Sequence, residues 1–346
     1  MLDDLKYIHQ RDGRDALGIA EKQWQQLEHR FEDTGDRLQV ADIENVVYAG
    51  MGGSALAALI AKSWPRCRVP FEIVRQYHIP DYVSDRTLFI ASSYSGNTEE
   101  TLSALSEAEG KGARIAVIAS GGKLQELAAQ KNYPFFLLPQ AEQPRYAVMA
   151  NLRALVVILD AANLSSQSQA SSELQKSAEF LKQAVAAWIP TVPTAQNPAK
   201  KLAQELAGKS PAIYAGPLLS PAAYKWKINF NENAKNVAWW NELPEFDHNE
   251  LIGWSSHPVQ KPYGIVELRS KLEHERVQKR FAVGERLLSG LRPAPNVVEV
   301  QGSTLLEQLL WAINFGDFVS IYLALLNKIN PAPVDLVEKF KKSLDT

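Results

Sequence analysis

The 346-residue sequence predicts an α/β fold of two similar domains, each a parallel sheet flanked by helices. Three observations carry that expectation. Short apolar runs alternate with segments of helical spacing through both halves, the pattern of parallel βαβ units. Two runs of the first half end in small-residue turns that open a helix, Gly50-Met51-Gly52-Gly53-Ser54 and Ser93-Tyr94-Ser95-Gly96-Asn97-Thr98. The second half repeats the first in outline: Ala212-Ile213-Tyr214-Ala215-Gly216 answers Val46-Val47-Tyr48-Ala49-Gly50, and Ser220 follows Gly216 at the spacing of Ser54 from Gly50.

In chain order, a charged helical segment is expected over residues 15–36, then a strand over residues 45–49. The glycine turn that follows permits positive φ and close backbone approach, and Ser54 opens a helix of small residues over 55–61. Strands are expected at 71–74, 88–91, 114–119 and 135–138, with helices after residue 102, over 123–130 and over 149–162. Residues 163–172, Asn-Leu-Ser-Ser-Gln-Ser-Gln-Ala-Ser-Ser, read as a polar surface loop. A helix reaching residue 188 and a Pro/Thr-rich stretch over 190–198 complete a connection. Further strands are expected at 212–216, 236–240, 264–268 and 297–300, with a helix over 226–235. The expected division is therefore a first domain over residues 1–162, a connection over 163–198 and a second domain over 199–346.

Composition excludes several classes. A formal charge of −2 disfavours nucleic acid or an anionic membrane as the main partner. The N-terminus, Met1-Leu2-Asp3-Asp4-Leu5-Lys6, lacks the apolar core of a signal peptide. The most apolar long run, residues 305–326, carries Glu307, Asn314 and Asp317 and reads as a buried helix rather than a membrane span. One cysteine, Cys67, rules out an internal disulfide and fits a reducing cytoplasm; its expected role is structural. Six scattered histidines give no metal-ligand spacing.

The chemistry-bearing stretch is residues 93–98. Hydroxyls and a glycine stand where a strand becomes a helix, where unpaired backbone N–H groups and the helix dipole favour an anion. N-capping by the same residues is the plainer alternative. Both glycine/serine turns lie at carboxyl ends of strands, where ligands of such sheets gather, and this favours a phosphate cradle. The second copy has Pro217-Leu218-Leu219 in place of Met51-Gly52-Gly53, so only the first is expected to keep the cradle. Arg145, beyond a strand end, reads from its spacing as a solvated surface arginine, with contact to an anionic ligand as the alternative. In the second half, Glu232 at a helix end and His248 beyond a strand offer a carboxylate and an imidazole, the groups used in acid/base chemistry. The plainer alternatives are a Glu232–Lys235 pair and a solvated histidine.

These motifs resemble a known fold and family. The hydroxyl run with Gly50-Met51-Gly52-Gly53-Ser54 resembles the sugar isomerase (SIS) fold. The resemblance implies two SIS-type domains, each a flavodoxin-like three-layer αβα sandwich. Asn231-Glu232-Asn233-Ala234-Lys235, Pro244-Glu245-Phe246-Asp247-His248-Asn249 and the tail Pro331-Ala332-Pro333-Val334 with Phe340-Lys341 resemble the bifunctional phosphoglucose/phosphomannose isomerase family. That family implies interconversion of a hexose 6-phosphate aldose and ketose through an enediolate, without a metal or other cofactor, in a cytoplasmic homodimer with shared active sites. Ser54, Ser93, Ser95 and Thr98 would hold the phosphate, with Gly52, Gly53 and Tyr94 in the substrate-binding loops. Glu232 would move the proton between C1 and C2. His248 of the partner copy would open the ring, Arg145 would face the enediolate, and Lys341 would contact the sugar, with Lys342 as the neighbouring register. One position departs: Ala332 stands where a hydroxyl residue is common, so glucose 6-phosphate is the firmer expected substrate and mannose 6-phosphate the weaker. Two alternatives share the fold, a non-catalytic sugar-phosphate-binding regulator and an aminosugar-phosphate isomerase-type enzyme.

Overall fold

The structure, a computed structural model, describes residues 1–32, 38, 42–256 and 262–344. Two short helices open the chain, α1 (Leu5–Arg11) and α2 (Ala16–Glu21), followed by a 3-10 turn over Gln23–Glu28. The continuous helix expected over residues 15–36 is thus broken, and residues 33–36 lie outside the described residues. Asp12 accepts the Ala16 and Leu17 N–H groups at 2.8 and 2.9 Å, which starts α2. Gln26 then turns its amide to the Tyr146 carbonyl at 2.6 Å and the Ala150 N–H at 3.0 Å, which holds the 3-10 turn in place of a further α-turn.

The elements of the first half are β1 (Asn45–Ala49), α3 (Gly53–Ser63), β2 (Phe71–Val74), β3 (Thr87–Ser93), α4 (Glu99–Gly110), β4 (Arg114–Ala119), α5 (Gly122–Lys131), β5 (Phe135–Leu137), α6 (Val148–Ala161) and α7 (Ala170–Val185). Among the described residues they form a five-stranded, all-parallel sheet of order β2-β1-β3-β4-β5. Successive side chains of a strand point to opposite faces, and here both faces are buried. Val46, Tyr48, Leu88, Ile90, Ala116 and Ile118 pack with Ala58 of α3 and Ala154 and Ile158 of α6. Their strand neighbours Val47, Ala49, Phe89, Ala91 and Val117 pack with Leu105 of α4 and Leu124 of α5. That is the expected three-layer sandwich, with the strand order of flavodoxin-like folds.

The second half contains α8 (Pro198–Leu206), β6 (Ser210–Ala215), α9 (Ser220–Glu232), β7 (Trp239–Glu242), α10 (Glu250–Gly253), β8 (Tyr263–Arg269), α11 (Glu275–Leu287), β9 (Asn296–Glu299), α12 (Leu305–Leu326) and α13 (Asp335–Leu344). Among the described residues its parallel sheet runs β7-β6-β8-β9, the order of the first four strands of the first sheet. Helix α11 covers one face through Val277 and Phe281, and α9, backed by α8 and α12, lies on β6 and β7. The long apolar α12 passes the length and composition test for crossing a membrane, yet 94% of its apolar window is buried inside the protein. Its polar members are matched internally: Asp317 accepts from Lys225 and, at 2.7 Å, from Asn229.

The chain divides into two compact units, residues Lys22–Leu181 and residues Met1–Glu21 with Lys182–Thr346. The N-terminal helices belong with the second half, where Tyr7 donates to the Leu325 carbonyl at 2.7 Å and Asn314 to the Ala20 carbonyl at 3.0 Å. Three local expectations need correction. The strand expected at 236–240 begins at Trp239, because Asn236 closes the end of α9: its N–H bonds the Phe230 carbonyl and its own carbonyl accepts from Asn231. The helix expected to run to residue 235 ends at Glu232. Residues 163–172 are not a free surface loop: Ser165 bridges to Cys67, Ser165 and Ala170 are buried, and α7 begins at Ala170. Cys67 is half-buried there, and burial pushes its thiol up, as fits the structural role expected of it.

Candidate functional site

In the first unit the hydroxyls converge at the point where the strand order reverses. The β1 and β3 carboxyl ends are neighbours in the sheet, and the loops leaving them carry residues 50–54 and 93–98. Ser93 Oγ lies 2.8 Å from Thr98 Oγ1 and 3.5 Å from Ser95 Oγ. It also accepts the Gly96 N–H at 3.1 Å, while Ser54 Oγ accepts the Tyr94 N–H at 3.1 Å. Thr98 occupies the N-cap position of α4, yet its side chain makes no capping bond. The hydroxyl is turned toward Ser93, so capping does not account for it. Tyr94 gives its backbone to this arrangement; its ring hydroxyl reaches the Ala141 carbonyl at 3.0 Å.

A layer beneath fixes these loops. Tyr48 is fully buried, and its hydroxyl lies 2.8 Å from the Ser54 carbonyl and 3.0 Å from Asn151 Oδ1. Burial pushes that phenol well above its usual range, so it stays a neutral donor. Asn151 in turn donates to Ser92 Oγ at 3.1 Å. Neither Tyr48 nor Asn151 stood out in the sequence, where both look like ordinary members of a strand and a helix.

Two glycines are required by close approach. Gly96 has φ +70°, and a Cβ there would stand 1.8 Å from the Gly121 carbonyl oxygen. A Cβ on Gly53 would stand 3.1 Å from the Pro144 carbonyl and 3.2 Å from the Arg145 nitrogen. Gly53 thereby admits the 3-10 turn over Pro144–Tyr146 beside the cradle. Arg145 is 1% exposed, with its guanidinium 4.7 Å from the Tyr146 ring centroid. The solvated arginine that spacing alone favoured is therefore corrected, and a buried cation stands on the segment that touches Gly53.

The second unit holds Glu232, His248 and Lys341. Glu232 is the last residue of α9, whose body is held by a buried polar ladder: Asn229 to Asp317, then Asn233 to Ser320 Oγ at 2.9 Å. Lys235 sends its ammonium to the backbone carbonyl of Glu232 at 2.7 Å. His248 ends a 3-10 turn, Glu245–His248, after β7. Phe246 anchors that turn against Tyr214, with ring centroids 4.8 Å apart, and Arg280 pairs with Asp247 at 2.6 Å. The imidazole itself is exposed. Lys341 is exposed on α13 and pairs with Glu338 at 3.2 Å; the side chain of residue 342 lies outside the description.

The switch point of the second sheet shows what replaced the lost glycines. The Glu273 carboxylate accepts the Leu218 N–H at 2.8 Å, with the Leu219 N–H beside it, the positions answering to Gly52 and Gly53. Burial pushes this carboxyl up from its ordinary value, although the two N–H groups pull the other way. The chain's own carboxylate lies on the backbone N–H groups that answer to those of the first glycine turn. Nothing in the local pattern hinted at this, because Lys271-Leu272-Glu273-His274 reads as a polar loop. Among the described residues no group of three or more His, Cys, Asp or Glu side chains is arranged to hold a metal ion.

Two sheets of matching strand order, with a hydroxyl cradle at the first switch point, define the class: a double sugar isomerase (SIS) domain protein. A structure of a glucose-6-phosphate isomerase like protein from Thermus thermophilus superposes over 99% of this chain and 98% of that one, with a TM-score of 0.67 at 20% identity. The family model for the bacterial phospho-glucose isomerase C-terminal SIS domain matches residues 195–344. The bifunctional phosphoglucose/phosphomannose isomerase of Caldicellulosiruptor bescii is 33% identical over 311 residues, 89% of this chain and 91% of that protein. The chain belongs to the bifunctional phosphoglucose/phosphomannose isomerase family. The D-glucosamine-6-phosphate 4-epimerase of Sulfolobus acidocaldarius is also similar, 34% identical over 235 residues, 68% of this chain and 72% of that protein.

Proposed function

We propose that the protein interconverts glucose 6-phosphate, and mannose 6-phosphate more weakly, with fructose 6-phosphate, as a cytoplasmic homodimer. The observation that carries the reading is Thr98 Oγ1, turned from its capping position into a hydroxyl cluster with Ser93, in a chain of this family. Ser54, Ser93, Ser95 and Thr98 hold the phosphate, and binding energy from that remote group orients C1 and C2 for reaction. Gly52 and Gly53 let the backbone come close, and Tyr94 shapes the loop.

Glu232 takes the C2 proton of the open-chain aldose and returns it to C1, passing through a cis-enediolate. Arg145 stabilises the negative oxygen that develops, His248 moves the proton that opens the ring, and Lys341 contacts the sugar. Preorganised positive charge of this kind serves the enediolate without a metal. Topology supports a shared site. Strands β6 and β7 are parallel, so the helix joining them runs antiparallel to both. Glu232 therefore ends α9 at the amino edge of the second sheet, and His248 follows β7 at the carboxyl edge. The 13 residues of α9 span roughly 20 Å, too far for both groups of one chain to reach one hexose. A partner copy supplies the imidazole. The apolar residues Leu336, Phe340 and Leu344 exposed on α13 are in keeping with a further packing surface.

The test is a coupled assay with glucose 6-phosphate, mannose 6-phosphate and glucosamine 6-phosphate side by side, on the native chain and Glu232→Gln. Native turnover of the first, with solvent deuterium appearing at C1 of the fructose 6-phosphate formed, is expected. Glu232→Gln should lower kcat by about 10³-fold, within the range of a positioned general base, with sugar-phosphate binding retained. Near-native turnover by Glu232→Gln removes it as the base. Activity on the aminosugar alone replaces the proposed substrate.

A further inference from the structure

Lys235 occupies a backbone position that favours another residue. Its φ is +50°, in the left-handed region where a helix normally ends on glycine. The long side chain placed there is fully used. Its ammonium lies 2.7 Å from the Glu232 carbonyl oxygen, 3.4 Å from that of Asn233, 3.1 Å from Asn330 and 3.0 Å from Pro331. The first two are terminal carbonyls of α9, which lack intrahelical partners and form the negative end of its dipole. The other two belong to the connection between α12 and α13, the helix that carries Lys341. Asn327 adds a second tie across the same gap, donating to the Ala234 carbonyl at 3.3 Å.

The polar ladder of Asn229 and Asn233 ties α9 to α12 as far as the residue after Glu232, and Lys235 adds a separate tie from the terminal carbonyls to the connection that leads into α13. We propose that Lys235 is a positioning residue for isomerisation, its ammonium fixing the last turn of α9, and with it the Glu232 carboxylate, against the root of α13. The inference rests on Glu232 being the base. A carboxylate that shuttles a proton between adjacent carbons must keep its reach to both, and a misplacement of about 1 Å costs on the order of 10²-fold in rate. The phosphate cradle lies on other elements, so substrate capture does not depend on this clasp.

The test compares Lys235→Met, Lys235→Arg and Lys235→Gly with Glu232→Gln in the isomerase assay, alongside thermal melts. Lys235→Met should lose about 10- to 100-fold in kcat, with KM within about twofold, the mark of an interaction that serves the transition state alone. Lys235→Arg keeps a cation that reaches the carbonyls and should stay within about threefold of native. Lys235→Gly suits the backbone and should melt above Lys235→Met, yet turn over no faster. Native kcat in Lys235→Met, or recovery of kcat in Lys235→Gly, overturns the inference. If Glu232→Gln is inactive while Lys235→Met is normal, only the positioning role falls. If Glu232→Gln is active, the base assignment and the positioning role fall together.

Discussion

Replacing Gly96 by alanine tests whether the cradle is as tightly built as its contacts indicate. At φ +70° an L side chain costs roughly 1–2 kcal/mol. The new methyl would also stand 1.8 Å from the Gly121 carbonyl oxygen and 2.8 Å from its carbon, backbone atoms that cannot swing aside. One of the two loops must retreat by roughly 1.5 Å to regain ordinary contact, at an overpacking cost of about 1–3 kcal/mol. The total, about 2–5 kcal/mol, lowers Tm by roughly 3–7 °C in a protein of this size. Retreat also pulls the Gly96 N–H from Ser93 Oγ and the Gly96 carbonyl from the Leu124 N–H, bonds of 3.1 and 3.0 Å. KM for hexose 6-phosphate should rise at least about tenfold, since binding depends on that geometry. The control is Gly110→Ala, at the end of α4 with open space around it, which should be neutral or slightly stabilising. A Gly96→Ala enzyme with native KM and native Tm refutes both the packing argument and the cradle.

Two further outcomes are expected. Tyr48→Phe should cost about 1–2 kcal/mol in urea unfolding and raise KM, because the lost hydroxyl reaches both Ser54 and Asn151; loss of stability with KM unmoved would separate this layer from the cradle. Glu273 has its carboxyl raised by burial, so its contribution to stability is present below the ordinary glutamate range and is lost as pH rises through the shifted value. Glu273→Gln should therefore melt close to native near pH 4 and gain on it towards pH 7, and a pH-independent difference between the two melts would contradict this.

The first unit was legible because its three inner strands are buried on both faces and flanked by turns. Val46 to Ala49, Leu88 to Ala91 and Ile115 to Ala119 are continuous apolar runs that suit no other place. The hydroxyl run was legible for the same reason: four polar residues directly after a buried strand demand an explanation. The burial of Arg145 was not legible, since its backbone lies against Gly53, some ninety residues earlier in the chain. Nor was the membership of α1 and α2 in the second unit, which rests on long-range bonds such as Asn314 to Ala20. The late start of β7 was hidden because Asn236 looks like a strand residue until its bonds to Phe230 and Lys209 are seen. Local pattern reports elements; it does not report which distant backbone will claim a side chain.

The carboxylate of Glu273 against the Leu218 N–H changes how many anions the protein can hold. A chain built from two like halves invites the expectation of two anion sites. In the second half the carboxylate on the Leu218 N–H is covalently part of the chain and does not exchange with solution. Phosphate titration of the native protein should therefore saturate at one equivalent per chain. The second half keeps the architecture of an anion receptor with its own carboxylate in the receptor's place.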